Sequence, residues 1–173
     1  MSNDLGVVLD AAEKLQGHPE IALVLLGDGK EKPALIETAA IRQLDNIHFI
    51  ASVPKIEMAD ALAASDACIA ILKPVPLYGT VYPNKVFDYM AASRPVILAI
   101  DGVIREVIEK AQAGIFSPPG DAASLAEVVL SLSQSPETAQ AMGKRGRAYV
   151  EAHFDRAVLG EKLADMIEAM KPA

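Results

Sequence analysis

Five short apolar runs recur about every 20 to 30 residues and most constrain how this chain can fold. Each run has the length of a strand, and several are bounded by Gly, Pro or Ser, as expected for strands that end in turns. The stretches between them carry apolar residues at helical spacing. This alternation predicts an α/β domain with a Rossmann-like, doubly wound parallel sheet. The predicted strands are 21–26, 47–50, 67–72, 96–100 and 114–116.

Helical spacing predicts helices between and after these strands, at 4–16, 31–43, 56–64, 102–112, 121–133, 136–153 and 155–170, and a further helix that opens at Pro83 and is stopped by Pro95. Asp121 and Asp155 are expected to cap the two helices that they precede. Doubly wound domains usually open with a strand, whereas this sequence opens with a helix. We therefore expect one domain over residues 1–173 that lacks its first strand, or a fragment of a longer protein.

Composition excludes several classes of protein. The 173 residues are 51% hydrophobic, which is typical of a globular chain, and the net charge of −7 argues against nucleic acid as a partner. No apolar run reaches the roughly 20 residues of a membrane-spanning helix. Cys68 is the single cysteine, so no internal disulfide can form, and a cytoplasmic location is expected. The three histidines lack the spacing of metal ligands, so no metal site is expected.

The stretch 78–100 is the strongest candidate for a site. Pro83 suits the first turn of a helix, whose apolar face would carry Val86, Phe87, Met90 and Ala91. Asn84, Lys85 and Asp88 fall off that face. The Asp88 carboxylate could accept the hydroxyls of a ribose, and Lys85 or the helix start could face a diphosphate. The alternative is a solvated face on which Lys85 pairs with Asp88.

Other turns are weaker candidates. Gly27 and Gly29 follow a strand and precede a helix, where a phosphate or sugar could approach the backbone, although such a turn can be purely structural. Val53 and Pro54 could offer backbone groups to a base, or form an ordinary turn. The basic segment 143–147 could face an anionic lipid or a phosphate, or be solvated. Asp101 and Glu106 are expected at the same edge as Asp88.

The order and spacing of several segments resemble the C-terminal, donor-binding half of GT-B glycosyltransferases of family 4, of the bacterial surface-polysaccharide type. The resemblance covers nearly the whole chain. Its segments are 21–29 (IALVLLGDG), 46–62 (NIHFIASVPKIEMADAL), 67–74 (ACIAILKP), 82–97 (YPNKVFDYMAASRPVI), 106–121 (EVIEKAQAGIFSPPGD) and 142–154 (MGKRGRAYVEAHF).

The resemblance implies a retaining transfer of sugar from a nucleotide donor, such as a UDP-sugar, without a metal or other cofactor. Asp88 would take the place of the ribose-binding acid, Val53 and Pro54 would lie by the base, and Gly27 and Gly29 would line the cleft. The loop before the helix would face the donor sugar or phosphates, through Tyr78, Gly79, Thr80, Val81 and Tyr82.

Two departures from the family pattern matter. The family often has two glutamates eight residues apart, where this chain has Thr80 and Asp88. The family also has an N-terminal acceptor-binding domain, which the printed residues do not match. We therefore expect such a domain or subunit as a partner, and membrane association, at the inner face, through that other half.

Two alternatives remain open. One is a truncated, non-catalytic interaction module that keeps the fold and works with a partner subunit. The other is an enzyme of different chemistry, such as a UDP-sugar epimerase, for which no set of histidine and acidic residues is visible. Exposed apolar residues on the last helix would also permit self-association.

Overall fold

A computed structural model gives the structure of the protein and describes residues 2–170. Within that range five strands alternate with helices. The strands are β1 (Leu23–Leu26), β2 (Ile47–Ile50), β3 (Cys68–Ile71), β4 (Val96–Ala99) and β5 (Gly114–Phe116). The helices are α1 (Leu5–Lys14), α2 (Lys32–Ile41), α3 (Met58–Ala63), α4 (Asn84–Ala91), α5 (Val103–Ala111), α6 (Ala122–Ser133), α7 (Pro136–His153) and α8 (Arg156–Ala169).

All the strand pairs are parallel, as predicted for an α/β domain. Strand β1 pairs with β2, and β4 lies between β3 and β5. Among the described residues these ladders form two separate sheets rather than one. Helices α1, α2 and α6 pack on one side and α4 and α5 on the other, while α7 contacts both layers, so the fold is doubly wound as predicted.

The core has one layer on each side of the sheets. The first layer joins both sheets, because Leu23 of β1 and Ile71 of β3 belong to it together with Leu9 of α1 and Leu125 of α6. The second layer packs the other face of β3 and β4 against α4 and α5. Since the first layer spans both sheets, the two sheets share one hydrophobic core although no ladder connects them.

The predicted elements agree with the structure to within one to three residues at their ends, the uncertainty normal for such boundaries. Asp121 and Asp155 each accept bonds from two backbone amides of the helix that they precede, which confirms both caps. Pro83 is the one local correction. It stands just before α4 in an extended conformation, and the first turn begins at Asn84. Single-turn 3-10 helices at Lys55–Glu57 and Pro76–Thr80 were not predicted.

Helix α7 contacts the carboxyl-terminal ends of α4 and α5. Gly143 lies so close to the Ser93 carbonyl that a Cβ there would overlap it. The Arg145 side chain donates to the Gln112 carbonyl beyond α5, and Arg147 donates to the Ala91 carbonyl at the end of α4. The two arginines of the basic segment 143–147 therefore have a structural role, because they donate hydrogen bonds to carbonyl groups at helix ends.

Helix α8 leaves its apolar residues in solvent. Val158, Leu159, Leu163, Met166, Ile167 and Met170 are 43% to 81% exposed, and α8 has no buried residue. The predicted exposure of this helix is confirmed. None of the helices within residues 2–170 is both long and apolar enough to cross a membrane.

Candidate functional site

Both sheets point their strands in the same direction, which places the loops after the strands at one edge. Helix α1 shows this. The Ser2 carbonyl, before α1, accepts from Lys73 N just after β3 (2.9 Å), whereas the Ala12 carbonyl, near the end of α1, accepts from Asn46 just before β2 (2.8 Å). The carboxyl end of β3 therefore lies opposite the amino end of β2. In open α/β sheets ligands bind at this carboxyl edge.

A cleft of about 400 Å³ opens at this edge, between the segments that follow β3 and β4. It contains one lysine, one carboxylate and one tyrosine, from Lys73, Asp101 and Tyr78. Its complete lining is Leu72, Lys73, Pro74, Val75, Pro76, Tyr78, Gly79, Ile100, Asp101, Gly102 and Pro119. The size is in the range of small-molecule sites, and polar groups stand among apolar walls, as is typical of such sites.

Two glycines bring the loops of the cleft together. Gly102 has φ +109°, in the region that disfavours residues with a Cβ, and a Cβ there would overlap the Gly79 carbonyl oxygen. Gly79 itself packs its Cα side toward the Asp101 carbonyl. Backbone groups of both loops can therefore line the cleft without intervening side chains.

The Asp101 carboxylate interacts with neighbouring residues, Gly102 of its own loop and Arg105 of α5. Asp101 Oδ1 accepts from Gly102 N at 2.8 Å and lies 3.4 Å from Arg105 Nη1. Glu106, expected at the same edge, instead pairs with Lys110 at 3.3 Å on the exposed face of α5 and does not line the cleft. Of these two acids, then, Asp101 contributes to the cleft and Glu106 does not.

The first turns of α4 carry Asn84, Lys85 and Asp88, which lie outside the lining of the cleft. Lys85 Nζ donates to Asn3 Oδ1 at 2.8 Å, and burial lowers the pKa of this lysine. The predicted alternative pairing of Lys85 with Asp88 is absent from the described residues. Asn84 and Asp88 are exposed, and the Asp88 carboxylate has no side-chain bond within residues 2–170.

Residues 2 and 3 connect the cleft with α4. The Ser2 carbonyl accepts from Lys73 N, and the Asn3 side chain accepts from Lys85 Nζ. This segment therefore contacts the backbone of Lys73 in the cleft and the ammonium group of Lys85 on α4. Nothing in the local pattern of 78–100 indicated it, since Asn3 and Lys85 are 82 residues apart.

The rest of the predicted loop is divided between cleft, core and solvent. Tyr78 and Gly79 line the cleft. The Thr80 hydroxyl donates to the Leu77 carbonyl at 2.9 Å, so it stabilises its own 3-10 turn. Val81 packs against the core, and Tyr82 is 55% exposed.

A polar clasp joins the ends of β1 and β2. Lys32 Nζ donates to the Gly27 carbonyl (2.7 Å), to the Ile50 carbonyl (2.8 Å) and to Asp28 Oδ1 (3.3 Å). Asp28 Oδ2 accepts from Ser52 Oγ (2.7 Å) and from Ser52 N (3.3 Å). These bonds, that of the Ser52 hydroxyl first, hold the pKa of Asp28 below its usual 3.8.

The clasp lies beside the turn that contains Gly27 and Gly29 and the turn that contains Val53 and Pro54, and it occupies some of their backbone groups. Gly27 has φ +134°, and its carbonyl is occupied by Lys32. Gly29 is exposed. Val53 is half-buried beside Ser52, while Pro54 is exposed and its carbonyl accepts from Glu57 N. These four residues lie at the carboxyl ends of β1 and β2 and are not part of the cleft lining.

Three contributions escaped the sequence analysis, namely the clasp, Lys73 and residues 2–3. For the clasp one signal was present, because Asp28 and Lys32 are four residues apart at the start of a helix. No local sequence signal indicated the positions of Lys73 and Asn3. Among residues 2–170 no group of three or more His, Cys, Asp or Glu side chains could hold a metal ion.

Comparisons with known proteins agree with this fold. The family model described as "Glycosyl transferases group 1" matches residues 2–135. The chain is 26% identical over 161 residues to a GDP-mannose-dependent monoacylated alpha-(1-6)-phosphatidylinositol monomannoside mannosyltransferase of Corynebacterium glutamicum, covering 90% of this chain and 41% of that protein. It is 32% identical over 88 residues to the amylovoran biosynthesis glycosyltransferase AmsK of Erwinia amylovora, covering 51% and 22%.

The fold is also that of a solved GT-B structure. The crystal structure of Anabaena Alr3699/HepE in complex with UDP superimposes with a TM-score of 0.82 at 18% identity, covering 97% of this chain and 46% of that one. The chain thus spans less than half the length of each of these three proteins. Because the family model covers well over half of this chain, the resemblance predicted from the sequence is confirmed. The chain belongs to the group 1 glycosyl transferases.

Proposed function

We propose that this chain is the nucleotide-sugar-binding domain of a retaining glycosyltransferase that uses a UDP-sugar and makes cell-surface polysaccharide or glycolipid. The observation that carries the proposal is the cleft at the carboxyl edge, where residues 2–3 bind both the Lys73 backbone and the Lys85 side chain, with the exposed Asp88 one turn further along α4. The family membership supports transfer of a sugar, and the UDP named in the HepE structure supports the choice of uridine.

The proposed roles follow from charge and position. A diphosphate is best placed beside Lys73 and Lys85, whose ammonium groups can neutralise the charge that develops on a leaving group. Asp88, exposed on α4, can accept two hydroxyls of a ribose. Val53 and Pro54 would lie by the base, and Tyr78 and Gly79 by the sugar. In this proposal the chain supplies positioning and electrostatic stabilisation, with no metal required.

Activity of the whole enzyme requires more than this chain. We infer that an acceptor-binding domain or subunit completes the cleft, since the chain spans under half of its relatives. We also propose a cytoplasmic location, with attachment to the inner face of a membrane through that second half. Transfer by these residues alone is not expected.

Titration with nucleotides tests the proposal. We expect UDP to shift the amide resonances of Val53 and of 84–88 in the ¹⁵N-labelled chain. Asp88→Ala should weaken the binding of UDP at least tenfold, because a hydrogen bond to a charged group contributes about 1.5–3 kcal/mol. Glu127→Ala is the matched control, since it removes an equally exposed carboxylate from α6.

Parallel titrations with UDP and GDP separate the base from the diphosphate. Tighter binding of UDP supports uridine, and tighter binding of GDP would contradict that choice while retaining the site. The site itself is refuted when neither nucleotide shifts the named amides, or when Asp88→Ala and Glu127→Ala bind UDP equally well.

One observation favours a second candidate, an interaction module without catalysis. The apolar residues of α8 are exposed along the whole helix, as expected of a surface that another protein covers. A module of this kind would bind a partner through α8 and be indifferent to UDP. The nucleotide titration therefore distinguishes the two candidates.

A further inference from the structure

Strand β2 leaves the outer side of its backbone without a partner within residues 2–170. In its ladder with β1, Leu23 lies beside Ile47, and Leu23 N donates to the Asn46 carbonyl. The even-numbered residues of β2 therefore bond to β1, and the amide and carbonyl groups of Ile47 and Phe49 point the other way. The described part of the chain forms no hydrogen bond with these outward groups.

This outer edge is poorly solvated. Ile47 is only 6% exposed, and Phe49 is half-buried. Backbone groups that are shielded from water and lack a hydrogen-bond partner are unfavourable. Sheet edges that stay free are commonly guarded by lysine or proline, and β2, with the sequence Ile-His-Phe-Ile, contains neither. The edge is therefore suited to pairing with a further strand.

A mainly apolar groove of about 400 Å³ lies beside the edge. Its apolar walls are Ile36 and Ala40 of α2, Ile47 and Phe49 of β2, and Leu44 from the connection between the two elements. Ile36 and Ala40 are four residues apart, so they share one face of the helix, and both are exposed. A strand added to β2 would cover this groove with its side chains.

Strand β2 of a second copy has the pattern that the edge requires. About a twofold axis centred on His48, Ile47 of each copy lies opposite Phe49 of the other. Each of these two pairs can exchange two hydrogen bonds, so all the outward groups of both strands are satisfied. A twofold axis centred on Ile47 or on Phe49 instead leaves the other residue opposite one outside the strand. The edge is thus self-complementary in one register, as a closed symmetric interface requires.

We propose that two copies of this chain form a twofold-symmetric dimer by antiparallel pairing of β2 with β2. The axis is perpendicular to the sheet, so the side chains of Ile47 and Phe49 stay on the α2 side in both copies. The two grooves then face each other and bury Ile36 and Ala40 between the α2 helices.

The dimer leaves the cleft accessible. Antiparallel pairing turns the carboxyl edges of the two copies in opposite directions, so neither cleft faces the other. The β2 surface is also separate from α8, and the inference holds whether or not the cleft binds a nucleotide.

Disulfide cross-linking tests the register. Residues that face each other without hydrogen bonds in antiparallel strands have Cα atoms about 4.5 Å apart, within reach of a disulfide. His48 is exposed and lies opposite its own copy across the axis. In a Cys68→Ala background, which removes the single native thiol, we expect His48→Cys to form cross-linked dimer at least tenfold faster than Ile50→Cys. Ile50 is the matched control, because it is exposed on the same face but lies opposite Asn46.

A charge in the groove tests the surface. Ile36→Lys should weaken dimerisation at least tenfold, because it places ammonium groups between the two α2 helices. Ile41→Lys is the control, since Ile41 is 75% exposed on the same helix and does not line the groove. Both are compared by sedimentation equilibrium in a chain that carries Leu163→Glu and Met166→Glu, so that association through α8 does not contribute.

Three results would overturn the proposal. In one, His48→Cys cross-links no faster than Ile50→Cys. In another, Ile36→Lys and Ile41→Lys dimerise equally well, which would place the interface on another surface. In the third, the chain with the two α8 substitutions is monomeric at every concentration.

Discussion

Single residues decide how closely the loops of the cleft approach each other. The contact between Gly102 and the Gly79 carbonyl leaves no space for a Cβ, and φ at Gly102 is +109°. A single contact also positions Lys85, which is half-buried and whose ammonium group donates a hydrogen bond to Asn3. In the proposed site, this half-buried lysine and the exposed Asp88 on the same helix would bind an anion and a diol side by side.

Gly102→Ala should destabilise the protein by about 2 kcal/mol or more, because it adds a steric overlap to an unfavourable backbone conformation. Urea unfolding measures the change. Gly6→Ala is the matched control, since a Cβ at Gly6 meets nothing within 4 Å and lies within α1. Equal free energies of unfolding for the two variants would contradict the close contact.

Whole elements are joined at the carboxyl edge by the clasp of Asp28, Lys32 and Ser52. It connects the end of β1, the end of β2 and the start of α2 through five hydrogen bonds. Lys32 takes part in three of them, and its side chain is 21% exposed. The clasp holds the turn that contains Val53 and Pro54, and therefore the position of any base bound there.

Lys32→Met should lower the free energy of unfolding by about 1–2 kcal/mol, because two backbone carbonyls lose a charged donor that is partly screened by solvent. Lys30→Met, at an exposed position nearby, serves as the control and should change little.

The carboxyl resonance of Asp28 gives a second readout of the same variant. In the wild type its pKa lies below 3.8, with Ser52 the largest cause and Lys32 a further one. Lys32→Met should raise the pKa toward 3.8 without abolishing the effect of Ser52. An unchanged Asp28 pKa together with unchanged stability would show that the Lys32 bonds do not form in solution.

At the scale of the whole molecule, the exposed apolar surface of α8 points to contacts with another surface. Helix α8 contributes no buried residue, and Leu163 and Met166 are 58% and 65% exposed. An apolar helix face of this kind is expected to associate with another surface.

The isolated chain should therefore associate with increasing concentration, as measured by sedimentation velocity. Leu163→Glu combined with Met166→Glu should shift the distribution toward the monomer, because it places charges in the apolar row. Glu161→Gln, also exposed on α8, is the control. A wild-type chain that is monomeric at every concentration by light scattering would refute this expectation.

Most of the secondary structure could be predicted from local sequence patterns. The apolar runs and the helical spacing are properties of neighbouring residues, so the five strands and eight helices within residues 2–170 could be predicted nearly to their ends. The caps at Asp121 and Asp155 were predictable for the same reason. The 3-10 turn Pro76–Thr80 was missed, because its Pro-rich sequence is equally compatible with an irregular loop.

Contacts between distant residues were decided by tertiary structure. The partners of Lys85, Lys73 and Arg147 lie 56 or more residues away, so no local pattern could indicate them. The sequence by itself determined the α/β class, the family and the candidate residues from Gly27 to Asp88. The tertiary structure decided which of these line the cleft, and that β1 and β3 do not pair with each other within residues 2–170, because strand neighbours depend on how the whole chain packs.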